Sequence, residues 1–94
     1  MSLIDIHAHH RLSREDALSA ANDLSRDLAR KFDIDYAWEG EVIHFERPGV
    51  HGQIWVTDGE LRIKAHLGFL LAMLKGPIER EIIRYLSDEF GCSF

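Results

Sequence analysis

Cysteine is close to absent from this chain: one residue, Cys92, stands near its end. A single thiol excludes an internal disulfide, and a reducing compartment such as the cytoplasm is the natural setting. Long apolar runs are missing too. The longest, Leu67 to Leu74 ("LGFLLAML"), has eight residues, where a helix crossing a bilayer takes about 20. No cationic segment leads into an apolar stretch, so a signal peptide is not expected. Basic residues do not predominate. Lys and Arg number 11 against 16 Asp and Glu, for a net charge of -5, and such a chain has no general field for collecting nucleic acid. Internal repeats, linkers and low-complexity segments are also lacking. The 94 residues are read as a single domain, 1–94, with a modest core.

What is present is a folded domain's composition, 46% hydrophobic and 29% charged. Residues 3 to 7 alternate as a short strand. Ser13 has the chemistry of a helix N-cap, with Asp16 in the capping-box position. Ala17, Ala21, Leu24, Leu28 and Phe32 then recur at spacings of three and four, one apolar stripe on a helix of about five turns. Arg14, Asp23, Arg26, Asp27 and Arg30 fall largely off it, as a solvated face.

The period then changes to two. Tyr36 and Trp38 alternate with Asp35, Ala37 and Glu39, and Gly40 offers a turn. In "EVIHFER" Ile43 and Phe45 share a face. "RPGV" (Arg47 to Val50) has Pro and Gly in the order of a type II turn. In "QIWVT" Ile54 and Val56 point one way, and Asp58–Gly59 is a two-residue hairpin signal. "ELRIKAHL" alternates Leu61, Ile63, Ala65 and Leu67 against Arg62, Lys64 and His66. Gly76 and Pro77 mark the start of a second helix, with its stripe at Ile78, Ile82, Tyr85, Leu86 and Phe90 and a C-cap at Gly91. The order is β-α-β-β-β-β-α. That is an α+β fold, a single antiparallel sheet of about four to five strands covered on one face by two helices. Ile43, Phe45, Ile54, Val56, Leu61 and Ile63 are expected to form one wall of the core, facing Leu24, Leu28, Ile82 and Leu86.

Candidate chemistry is thin. "LIDIHAHH" (Leu3 to His10) is similar to the string that closes the first barrel strand of metal-dependent amidohydrolases. That barrel takes about 250 residues, so the motif lacks its architecture here. His7 and His9 would point to one side of an extended strand and are the weak alternative to an expectation of no metal. No spacing links His10, His44, His51 or His66 to them as further ligands. Cys92 lies beyond the last helix without a local histidine, Ser13 is explained as a cap, and Gly49, Gly52 and Gly59 fall at hairpin turns rather than in a phosphate loop. No catalytic residue and no cofactor are expected, and the chain is read as a non-enzyme.

Two surfaces carry more signal. A two-residue turn at Asp58–Gly59 places Trp55 opposite Arg62 on the polar face of the sheet, flanked by His44, Lys64 and His66. This is either a covered tryptophan or a sheet-face contact for a second subunit, and a homodimer through that face or a sheet edge is expected. The other surface is Phe69, Leu70, Leu71, Met73 and Leu74, an apolar connection where polar residues are the norm. It is either core or an apolar contact site.

The strings "WEG" (Trp38 to Gly40), "HFERPGV" (His44 to Val50), "LGFLLA" (Leu67 to Ala72) and "KGPIE" (Lys75 to Glu79), with the S-x-x-D start near Ser13, resemble a bacterial family. These are the polyhydroxyalkanoic acid system proteins, also called granule-region proteins. The resemblance covers nearly the whole chain, although "HAHH" is not among its strings. The family is named for genes lying among those that make or use polyhydroxyalkanoate, the bacterial storage polyester. It implies a cytoplasmic protein tied to granules or to granule proteins, and it carries no catalytic residues to transfer. The expected function is that of a non-enzymatic accessory protein associating through apolar surface. The alternative is a hydroxyacyl-binding module or an enzyme of polyhydroxyalkanoate metabolism. A polar-lined cavity between sheet and helices would favour the alternative, and a filled core with Phe69, Leu70 or Met73 exposed would favour the accessory protein.

Overall fold

A computed structural model describes residues 2–91, together with the side chains of 3–89. Five strands and two helices follow the expected order: β1 (Ser2–His9), α1 (Arg14–Phe32), β2 (Asp35–Glu39), β3 (Val42–Arg47), β4 (Val50–Thr57), β5 (Glu60–Leu67) and α2 (Lys75–Tyr85). The strands form one sheet of order β1-β5-β4-β3-β2, antiparallel throughout. β2 to β5 are a meander built on short turns. α1 carries the chain from β1 to the far edge, so the meander returns to pair β5 with β1. The strand order follows from this long connection, which no local pattern encodes.

Each helix boundary has a local cause. Ser13 takes extended backbone angles, and its hydroxyl accepts from the Asp16 N–H at 3.2 Å. Glu15 and Asp16 lie in the first turn and Arg30 and Lys31 in the last, complementing the helix dipole. Asp33 ends α1 in the left-handed region at φ 55, its N–H bonded to the Ala29 carbonyl. α1 lays Ala17, Ala21, Leu24, Ser25 and Leu28 on the sheet. The buried Ser25 hydroxyl is satisfied by donating to the Ala21 carbonyl at 2.8 Å.

All ten residues expected to face each other across the core are buried. Ile4, Ala8, Ile34, Val50, Leu67 and Ile78 join them. Between sheet and helices there remains a cavity of about 30 Å³, lined chiefly by Leu28, Phe45, Ile63, Leu67 and Ile82, the size of a single water. Polar links close the sides of this layer. Trp38 Nε1 donates to Asn22 Oδ1 of α1 at 2.8 Å, and an Arg47 guanidinium N–H donates to the Phe32 carbonyl at 2.7 Å. Glu81 of α2 accepts from Lys31 of α1 at 2.8 Å and from Arg84 at 2.6 Å. The Lys31 hydrogen bond foremost, with Arg84 beside it, holds the Glu81 carboxyl below its ordinary value.

Several boundaries differ from the sequence reading. β1 continues to His9 because β5 is long enough to pair with it, His9 standing opposite Glu60. β4 begins at Val50, which puts Gly52 inside a strand and not in a turn. There it opposes Phe45 and Ala65, and a Cβ would stand 3.0 Å from the Ala65 Cβ and the Lys64 carbonyl. A strand glycine marking close backbone approach explains it. α2 starts at Lys75, with Gly76 and Pro77 in its first turn, because a 3₁₀ helix (Phe69–Leu74) runs straight into it. Beyond α2 a wider turn, Leu86–Phe90, ends at Gly91, whose N–H reaches the Leu86 carbonyl. Cys92 lies outside the described residues, as does the side chain of Phe90.

Candidate contact surface

Leu67, the last residue of β5, is fully buried. Gly68 then turns the chain. Its N–H donates to the Gly49 carbonyl at 2.7 Å, and its own carbonyl accepts from the Leu71 N–H at 3.0 Å. The first bond ties the connection to the β3–β4 turn, and the second starts the 3₁₀ helix. Gly49 takes φ 89 in that turn, after Pro48, as a type II turn demands. A Cβ there would lie 2.9 Å from Leu71 Cδ1, so the turn and the 3₁₀ helix pack directly on each other.

A 3₁₀ helix has three residues per turn, so positions three apart eclipse. Leu71 and Leu74 form one such row, and both pack against the core. Leu70 and Met73 form the next row and point to water, 81% and 80% exposed, with Phe69 beside them at 85%. The five apolar residues singled out in this segment therefore divide: two anchor it and three stand out. Beside them Pro48, Gly49, Gly68, Phe69, Leu70 and Leu71 line an open hollow of about 370 Å³ without a charged side chain. Lys75, just beyond, is engaged within α2, its ammonium 3.7 Å from Glu79.

The outer sheet face is polar. Trp55 is half-buried and stands between Val42 and Arg62 on the neighbouring strands. The Arg62 guanidinium turns toward β1, 3.4 Å from Asp5. Lys64 sits between Asp5 and Gln53, His66 pairs across the strands with His51, and His44 lies 3.8 Å from Glu39. Trp55 and Arg62 are thus neighbours, as their turn register requires.

His7 and His9 point to one side of β1, ring centroids 5.4 Å apart, with Glu60 3.6 Å and 3.9 Å away. Among the described residues no three His, Cys, Asp or Glu are grouped to hold a metal ion. His10 behaves differently. It is buried, its Nδ1 accepts from the Leu12 N–H, its Nε2 stands 3.2 Å from the Thr57 carbonyl, and its backbone N–H donates to Gly59. The pattern assigns the proton to Nε2, and the ring pins the β4–β5 turn to the start of α1. The sequence offered no signal for this role, since the turn it holds is distant in the chain, with Thr57 47 residues away.

Among the described residues no helix is long and apolar enough to cross a membrane. No curated protein and no solved structure matches the chain. A family model does match, over residues 4–90, a span that takes in the "HAHH" segment as well as the strings around Trp38, His44, Leu67 and Lys75. The chain belongs to the family described as putative polyhydroxyalkanoic acid system protein.

Proposed function

We propose that this protein is a non-enzymatic accessory component of the polyhydroxyalkanoate system, attaching to storage granules or granule proteins through Phe69, Leu70 and Met73. The observation that carries this reading is the exposure of three large apolar side chains, side by side, on a segment anchored from beneath by Leu71 and Leu74. Folding gains little from those three, and contiguous exposed apolar area marks contact sites. Phe and Met suit an irregular apolar surface, because they carry large area and adapt to it. Burial of each against a partner contributes about 1.5–3 kcal/mol, so two or three suffice for reversible attachment. Membership of the family supports the polyhydroxyalkanoate system as the context, and a cytoplasmic polyester granule is the setting proposed. The interior supports this reading over a hydroxyacyl-binding module, since a cavity of about 30 Å³ has no room for such a ligand.

The test is co-sedimentation with granules from polymer-accumulating cells, using the full chain and the Phe69→Ser and Met73→Ser variants. The expected result is loss of co-sedimentation in variants that keep the parent's thermal stability. Folded variants that sediment like the parent retire the proposal.

A further inference from the structure

The two sheet edges are unlike. β1 and β2 each pair on one side only. Among the described residues, β1 receives no backbone hydrogen bond along its outer side. An open strand edge is a template for another strand, and proteins guard such edges with charge. β2 is guarded. Paired antiparallel with a copy of itself about its central residue, Ala37, it would set Asp35 against Glu39 twice, and Trp38 is already engaged by Asn22 of α1.

β1 is the opposite case. A two-fold axis normal to the sheet keeps both helical layers on one side. Outward residues must then oppose outward residues, so the register centres on one residue. Centred on Ile6, Asp5 meets His7 of the second copy, Leu3 meets His9, and Ile4 meets Ala8. Two Asp–His pairs form by symmetry, and the exposed Leu3 gains cover. Shifting the centre to Asp5 sets two carboxylates against each other at the axis, and shifting it to His7 sets two imidazoles there, where the Ile6 register places two apolar side chains. The helix above agrees with the same partner. α2 packs over β1, while α1 packs over β2 and β4. Ile83, 41% exposed, lies about 200° around α2 from Glu81, which reaches Lys31 of α1. Ile83 therefore flanks the open β1 edge.

We propose that the β1 edge pairs with the β1 edge of a second copy about a two-fold axis through Ile6, joining two sheets into one. This surface is separate from the 69–74 segment, so the two proposals fail or stand independently. Light scattering should report a dimer between about 1 and 100 μM, unchanged by Phe69→Ser. In a Cys92→Ser background, Ile6→Cys should form a cross-linked dimer on mild oxidation, since residues opposed on an antiparallel axis lie within disulfide reach. Ala37→Cys, the matching position on β2, should not. His7→Asp should weaken the dimer about tenfold or more by opposing carboxylates. Mixing it with Asp5→Lys should restore a mixed dimer, because the introduced carboxylate then meets the introduced ammonium. Thermal unfolding confirms that each variant is folded. A monomer across that concentration range, cross-linking at Ala37→Cys as fast as at Ile6→Cys, or a His7→Asp dimer as tight as the parent overturns the proposal.

Discussion

The inner face of the sheet and the 69–74 segment are about equally apolar and meet opposite fates. On the inner face, Leu61, Ile63 and Leu67 alternate with charged or polar neighbours, and all three are buried under α1 and α2. In the segment, five large apolar residues occur among six, yet only Leu71 and Leu74 reach the core. The cause is backbone period. A strand divides its residues between two faces, and here one whole face has helices to cover it. A 3₁₀ helix divides them among three rows, and this one touches the domain along a single side. Hydrophobicity alone does not bury a side chain; its direction must meet a partner.

This contrast breaks most sharply on the covered side. Phe45→Ala or Leu28→Ala should cost roughly 2–5 kcal/mol in a denaturant titration, through lost burial and the cavity left behind. A cost below about 0.5 kcal/mol at both would mean that the buried face is not the core. Next in size is the joint between the two regions. Gly49→Ala demands a left-handed alanine and pushes on Leu71, and it should cost about 1–2 kcal/mol. Pro48→Ala, which keeps the glycine, should cost less, and equal losses would argue against the positive φ as the cause.

A smaller effect tests the clamp between the helices. Glu81 has its acidity raised by Lys31 and Arg84, so its folded value lies below its unfolded one, near 4.5. Its contribution is then fully present above about pH 4.5 and fades as pH falls through the folded value. Glu81→Gln should be less stable than the parent at pH 7, with the gap closing below pH 4.5. A gap independent of pH means packing, not charge, is at stake. The smallest effect belongs to the exposed trio. Phe69→Ser and Met73→Ser should each change stability by less than about 0.5 kcal/mol, and losses comparable to Phe45→Ala would return the segment to the core.

Much of this architecture was legible in advance because its signals are local. Ser13 announces its own cap, Pro48–Gly49 and Asp58–Gly59 announce their turns, and the period of two from Tyr36 to Leu67 assigns each side chain a face. The 69–74 segment stood out equally well, since eight apolar residues in a row break every pattern around them. By itself the sequence determined element order, the core wall and the family, as these depend on residues that are near neighbours or matched strings. Only the tertiary structure decided the rest. It chose β1 as the partner of β5, put Gly52 inside a strand, closed His10 over Thr57, and turned Phe69, Leu70 and Met73 outward while Leu71 went in. Each of these depends on groups that meet only after the chain has crossed the sheet and returned, and contacts between distant residues leave no local pattern to read.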